Sequence, residues 1–369
     1  MEQVSFLDDL YQRYKVDKPI RTIELFAGYG ATTLALDHLG VKYEPYRIVE
    51  WNAYSTLAYD YLHNDTRKDY SKEFDLETII LNLEKLGLSF DWNKPATPKQ
   101  IRNRKESFLR DVYNAIMNTN NCVDISRVKG KDLAMRERER WCVIMTYSFP
   151  CQDISLAGKQ KGLERDSNTR SSLLYQVERI LFELEKINQL PDILILENVK
   201  ELLSEKHIHN FNLWCNTLEK IGYETYTSVL NSADYGIPQH RERVFCVSLL
   251  NSSDKYYQFP SPFKLEKCVD DLLEKVVDER YYLTNKQIEA FEYWNAYEKP
   301  LETLKRERES GIMGTLTTHA GKNSGGIKLV GNYTPKKHNA SRVIDGDGIA
   351  PTVKENHGTI TGIKLKNEN

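Results

Sequence analysis

Cysteine is sparse in this chain: six in 369 residues, at positions 122, 142, 151, 215, 246 and 268, with no C-x-x-C pair. That spacing excludes a zinc ribbon and offers no disulfide framework, so no metal is expected, and reduced thiols are. Net charge is nearly absent too, at −2. No global positive field advertises a nucleic acid, although a local basic cleft can act where the sum does not. No apolar run is long enough to span a bilayer, and the opening "MEQVSFLDDLYQRYK" has acids where a signal peptide has bases followed by apolar residues. No membrane association and a cytoplasmic location are expected. What remains, 40% hydrophobic and 28% charged residues, suits a globular protein with one large core or two smaller ones.

The first two-thirds alternates between two periods. "RTIELF" (21–26), "WCVIMTYS" (141–148), "DILILEN" (192–198), "YTSVL" (226–230) and "VFCVSLL" (244–250) are short, β-rich and apolar almost throughout. Such strands suit a sheet covered on both faces. Between them, "SSLLYQVERILFELEKI" places Leu173, Val177, Ile180, Leu184 and Ile187 on one helical stripe. The alternation predicts a doubly wound α/β fold with a mostly parallel sheet, over about residues 21–257, after an N-terminal helix in 1–20. A charged stretch at about 64–121 predicts two helices laid outside the sheet core. A solvated insertion is its plainer reading, a DNA contact the alternative. Two prolines in "QFPSPFKLEK" mark a boundary near 258, beyond which "GIMGTLTTHAGKNSGGIKL" (311–329) resembles "GIAPTVKENHGTITGIKL" (348–365). Residues 258–369 therefore read as a second, smaller domain of β-strand and loop.

"TIELFAGYGATTLAL" (22–36) is strand, glycine turn, then helix. Gly28 and Gly30 let the backbone turn tightly and approach a ligand, while the helix N-terminus offers free N–H groups. A dinucleotide fingerprint needs a third glycine where this chain has Thr33, which disfavours NAD. A strand ending in Glu50, followed by Trp51, offers a carboxylate for ribose hydroxyls and an indole for adenine. Asp124-Ile125, read as the end of the next strand, closes over the base. Glycine turn, acid and aromatic together fit an adenosine cofactor without a pyrophosphate, such as S-adenosylmethionine. A lone glycine turn also suits a plain strand–helix junction.

Most of the cysteines read as small core residues, Cys142 and Cys246 above all. Cys151 differs. In "TYSFPCQDIS" it follows Pro150 at the carboxyl end of a strand, where open α/β sheets bind ligands. A thiol there is a nucleophile that needs an electrophile activated by protonation. "LILENVKEL" puts Glu197 and Asn198 at the end of another strand, where a carboxyl serves as an acid if its surroundings are apolar and a Glu-Asn pair serves equally as a helix N-cap. Arg241 and Arg243 share one face of the strand that follows; each is a donor to a carbonyl or phosphate oxygen, or a surface partner of Glu242. Thiol, carboxyl, guanidinium and a methyl-donor site are the set required to methylate carbon 5 of cytosine.

The series resembles the C5-cytosine DNA methyltransferase family from about residue 20 to 250. "FAGYGATT", with Ala31 where a second glycine is usual, "EW" at 50–51, "DI" at 124–125, "SFPCQDISLAGKQKGL", "TRSSLL", "ENV" and "ADYGIPQHRERVF" match its motifs in order. The resemblance implies a Rossmann-like S-adenosylmethionine-dependent fold and a bacterial or phage-encoded enzyme acting on duplex DNA with a flipped cytosine. Carried over by position, it implies Cys151 as nucleophile, Glu197 as donor to N3 and Arg243 as the contact to O2, supported by Asn198 and Gln239. It implies that Phe26, Ala27, Gly28, Tyr29, Gly30, Glu50, Trp51, Asp124, Ile125 and Pro150 line the cofactor. Gln152, Ser155, Arg170 and Arg241, with Thr315 and Thr352 in the recognition domain, are implied DNA contacts.

Two segments of that family, one of Arg-Leu-Thr-Pro type and one Gly-Asn-Ser turn that completes the cofactor pocket, are not visible in this sequence. A second polypeptide that supplies them, a truncated product and an inactive or purely DNA-binding copy are three explanations, and tRNA methylation by the same chemistry is a further reading. A chain without both segments is expected to hold S-adenosylmethionine weakly on its own.

Overall fold

Runs that are apolar at nearly every position form stable strands only when both faces are covered. A computed structural model describes residues 12–150, 173–252 and 255–266, together with the backbone of 329–332, 342–345 and 362–364. Its strands are β1 (Gln12–Arg13), β2 (Ile20–Leu25), β3 (Tyr43–Val49), β4 (Cys142–Tyr147), β5 (Ile193–Val199), β6 (Tyr223–Asn231), β7 (Glu242–Leu250) and β8 (Lys255–Tyr256). Six of them form one sheet in the order β3-β2-β4-β5-β7-β6. The pairings β2–β3, β2–β4 and β4–β5 are parallel. Thr225 bonds Ser248 and Thr227 bonds Cys246, so β6 and β7 run in opposite senses. The fold is α/β with a mostly parallel sheet, as the sequence predicts.

Period-two alternation sends successive side chains to opposite faces. On one face Ile23, Leu25, Val143, Met145, Leu194 and Leu196 pack against α7 (Leu174–Glu185) and α8 (Ile208–Lys220) through Val177, Ile180, Leu184, Phe211, Trp214 and Leu218. On the other, Ile20, Ile144, Ile193, Val247 and Leu249 gather Tyr14, Tyr257 and Phe259. Cys142 and Cys246 lie in these two cores, as the sequence suggests.

The ends of the sheet unit correct one expectation. Residues 12–13 pair with Lys255–Tyr256 as short parallel strands, and the Tyr14 N–H donates to the Tyr256 carbonyl at 2.8 Å. They are therefore not helical, nor are residues 14–19, which run irregularly into β2; residues 1–11 of the expected terminal helix lie outside the described residues. Three further strands, Leu329–Asn332, Arg342–Asp345 and Gly362–Lys364, form a separate sheet. By compactness the chain divides into residues 1–228 with 244–259, and residues 229–243 with 260–369.

The 64–121 insertion holds three α-helices rather than two: α3 (Leu76–Leu86), α4 (Pro98–Arg102) and α5 (Glu106–Asn118). The missed one, α4, is a single turn started by a Thr97–Gln100 capping box with Pro98 at its first position. Nor is the insertion merely solvated. Ile79, Leu83, Ile101, Leu109, Val112 and Ile116 make a core of their own, closed against Ala53, Trp51 and Leu57 from α2 (Ala53–His63) and the residues before it. Substituting Leu83, fully buried on α3, with Ala is expected to cost about 2–5 kcal/mol in urea unfolding. Leu81 on the same helix is 43% exposed, and Leu81→Ala is expected to cost less than about 0.5 kcal/mol.

Candidate active site

Because β3, β2, β4 and β5 are parallel, their carboxyl ends lie along one edge, the place where open α/β sheets bind ligands. Val49, Leu25, Tyr147 and Leu196 form one rung across these strands. The next residues along the chain are Glu50, Phe26, Ser148 and Glu197, so three of the expected site residues stand at one level of this edge, Glu197 still within β5.

The glycine turn is strained and tied down. Phe26, Gly28 and Gly30 all have positive φ, at 59°, 57° and 81°, and the Phe26 N–H donates to the Val49 carbonyl at 2.8 Å. A Cβ on Gly28 would meet nothing within 4 Å, so this glycine faces open space. A Cβ on Gly30 would collide with His63 and Tyr59 of α2. The two glycines thus serve different neighbours: Gly28 leaves room for a ligand, and Gly30 leaves room for a helix.

Glu50 joins this turn to its surroundings. Only 5% exposed, its carboxylate accepts from the Gly28 N–H at 3.0 Å and from the Asn52 N–H at 2.7 Å. The Glu50 N–H donates to Asn121 Oδ1 at 3.0 Å, and Asn121 Nδ2 donates back to the Glu50 carbonyl at 2.8 Å. Asn52 is the N-cap of α2, accepting from the N–H groups of Tyr54 and Ser55. Trp51 is half-buried and packs on the insertion core. With open space at Gly28 and an anchored acceptor at Glu50, these residues fit an adenosine cofactor.

Asp124 departs from expectation. Ile48 and Asn121 form a single parallel bridge, but Asp124 itself opens a turn and ends no strand. Its Oδ1 accepts from the Ser126 N–H and hydroxyl at 3.0 and 2.7 Å, and its Oδ2 pairs with Arg127 Nε at 3.1 Å. A carboxylate that caps its own turn has no need of strand geometry. Val123 before it has φ of 60°, a strained setting for a β-branched residue. Ile125 is buried in the main core.

Thr33, where a dinucleotide site has its third glycine, is buried. Its hydroxyl donates to Glu24 Oε1 at 2.5 Å, and the Tyr59 hydroxyl donates to the same oxygen at 2.7 Å. Burial pushes the Glu24 carboxyl above the usual range, against the opposing effect of those two hydroxyls. This triad joins β2, α1 (Ala31–His38) and α2 beneath the glycine turn. Sequence reasoning missed it, along with Asn121; an acid inside the apolar run "TIELF" was the available signal.

On the nucleophile side, Asn198 Nδ2 donates to the Phe149 carbonyl at 3.1 Å while its Oδ1 accepts from the Val199 N–H at 2.9 Å. Asn198 is 2% exposed. The short helical turn after it, Lys200–Leu203, begins at Val199 with no side-chain cap, so the N-cap alternative fails. The amide instead braces the backbone one residue before Pro150. Glu197 is half-buried on the same strand. Cys151, Gln152, Ser155, Arg170, Thr315 and Thr352 lie outside the described residues. Of the described thiols, burial pushes Cys142 and Cys246 up to about 12 and Cys215 up to about 11, and it raises Cys122. None of these four is a ready nucleophile at neutral pH.

Gln239, Arg241 and Arg243 belong to the second unit. Asn231 Oδ1 accepts from the N–H groups of Arg241 and Ala233, at 3.0 and 3.4 Å. Its Nδ2 must therefore be the donor to His240 Nδ1, 2.9 Å away, which puts the His240 hydrogen on Nε2. Gln239 N–H turns back to the Ile237 carbonyl at 2.6 Å, and Arg243 Nη1 donates to the Glu242 carbonyl at 2.8 Å.

A mostly parallel sheet in the order β3-β2-β4-β5-β7-β6, with a glycine turn after its second strand, is the Rossmann-like arrangement of the methyltransferase class. A family model of C-5 cytosine-specific DNA methylases matches residues 87–359. Type II methyltransferase M2.ScrFI of Lactococcus lactis subsp. cremoris is 38% identical over 275 residues, covering 73% of this chain and 71% of that protein. Orphan methyltransferase M.SssI of Spiroplasma monobiae is also 38% identical over 275 residues, covering 73% of this chain and 68% of the other. Among solved structures, the S. pombe Dnmt2 methyltransferase matches at 17% identity and a TM-score of 0.43, over 75% of this chain and 67% of that one. The chain belongs to the C-5 cytosine-specific DNA methylase family and is a DNA (cytosine-5) methyltransferase. No helix among the described residues is long and apolar enough to cross a membrane.

Burial lowers the His240 pKa from its ordinary 6.5, with Asp234 and Glu242 opposing. A group whose folded value is depressed contributes stability above the unfolded value and loses it as pH falls through the folded one. The melting temperature is expected to fall as pH drops below the ordinary histidine value of 6.5. His240→Asn keeps an acceptor near Nδ1 and cannot titrate, so its melting temperature should fall less; equal slopes in thermal scans would contradict this reading.

Proposed function

We propose that this methyltransferase modifies carbon 5 of a cytosine flipped out of duplex DNA, through a covalent bond between Cys151 and C6 of the ring. Cys151 follows Pro150 directly, and the bond from Asn198 to the Phe149 carbonyl supports a nucleophile held beside Glu197; that observation carries the reading. The thiolate adds to C6 while Glu197 delivers a proton to N3, which makes C5 an enamine carbon. Arg243 contacts O2 and favours the charge that builds there. Bound S-adenosylmethionine supplies an electrophilic methyl group. Once C5 carries the methyl and S-adenosylhomocysteine has left, loss of the C5 proton to water, return of the N3 proton to Glu197 and expulsion of the Cys151 thiolate would restore the ring.

On the cofactor side, Glu50 takes the ribose hydroxyls, Gly28 gives the turn its clearance, and Trp51, Asp124 and Ile125 border the base. Flipping is required because neither a thiol nor a methyl donor reaches C5 inside the stack. Residues 258–369 are the target-recognition region in this reading, and Gln239 and Asn198 support the site.

Duplex DNA containing 5-fluorocytosine cannot release the C5 substituent, so it traps the adduct. Incubation with tritiated S-adenosylmethionine should give a labelled, denaturation-resistant protein–DNA band that disappears in Cys151→Ser. Labelling of tRNA and not of DNA would overturn the substrate, and an undiminished adduct in Cys151→Ser would overturn the nucleophile.

A further inference from the structure

Tyr29 sits between the two glycines of the cofactor turn. Its side chain is 48% exposed, and its carbonyl accepts a hydrogen bond from His63 Nε2 at 2.8 Å. A carbonyl only accepts, so the hydrogen lies on Nε2. Among the described residues His63 Nδ1 is buried without a hydrogen-bond partner, so the bond to Tyr29 is the ring's one hydrogen bond there, with the Glu24 carboxyl close enough to feel its charge. The packing is specific. Tyr59 lies one turn earlier on α2, its ring 4.7 Å from that of His63 and tilted by 59°. The two rings together fill the place where a Cβ on Gly30 would stand. Tyr59 is itself fixed by Glu24 Oε1 and by the Thr33 hydroxyl 2.8 Å away. At its other end α2 is capped by Asn52, whose N–H donates to Glu50. One helix thus grips the cofactor turn at Tyr29 and anchors the carboxylate that faces that turn.

From this arrangement we infer that His63 is a positioning residue for cofactor binding: through the Tyr29 carbonyl it holds the Gly28–Gly30 turn in the shape that receives the methyl donor. The inference rests on the proposed S-adenosylmethionine site and names the residue outside that site on which its shape depends. His63 touches neither the expected cofactor nor the cytosine. Without its bond, the Tyr29 carbonyl and the positive-φ backbone on either side lose a restraint.

Calorimetry of the full chain with S-adenosylmethionine tests this, alongside steady-state methylation of duplex DNA. His63→Ala should weaken binding on the order of tenfold, the scale of one lost hydrogen bond, with the loss in KM for S-adenosylmethionine and not in kcat. His63→Gln offers an amide N–H at nearly the same place and should recover most of the affinity. Wild-type affinity in His63→Ala would overturn the inference, as would a His63→Gln variant no better than His63→Ala. If the wild-type chain binds the cofactor but methylates nothing, the proposed chemistry fails while the binding series still decides the role of His63.

Discussion

The Glu50 carboxylate is the constraint on which this edge of the molecule depends. It is buried, and both of its oxygens are committed to backbone N–H groups, one in the glycine turn after β2 and one at the cap of α2. Its own peptide is held on both sides by Asn121, which arrives from the far end of the insertion. A buried carboxylate is tolerated where its oxygens have donors, and each Glu50 oxygen has one. Removing its charge would leave backbone donors facing an amide, and three separate segments would lose their common point.

Backbone strain is found at this edge as well. Phe26 and Val123 hold positive φ without being glycine, and each is tied by a backbone or side-chain bond to the Glu50–Asn121 hub or its strand. Residues in that region cost of order 1–3 kcal/mol each and persist where their surroundings over-determine them. The sheet beneath is the opposite: long runs of apolar side chains in ordinary strand geometry, covered on both faces. Strands in ordinary geometry lead into a turn that is not, and that turn lies on the edge where the chemistry is proposed.

Much of the architecture was legible because continuous apolar strands and amphipathic helices have different periods, and the edge residues Gly28, Glu50 and Pro150 stood just past the strands, with Glu197 near the end of one. What escaped the sequence has physical reasons. The α4 turn is too short to show periodicity, and only its Thr-Pro-x-Gln cap announces it. Asp124 looked like a strand end because "CVDIS" is β-rich, but its carboxylate caps the turn through Ser126 and Arg127. Asn198 looked equally like a helix cap, and only the three-dimensional neighbour, the Phe149 carbonyl, distinguishes the two. The Glu24–Thr33–Tyr59 triad and the His63 bond join residues 9 to 35 positions apart, a separation that no local pattern encodes.

The central claim is that the Glu50 hub shapes the site that receives S-adenosylmethionine. Titration calorimetry of Glu50→Gln beside the wild type tests it most directly, with circular dichroism to establish that the variant is folded. Binding to the wild-type chain that is lost in a folded Glu50→Gln variant is the predicted result. Equal affinity in the two proteins would contradict the account.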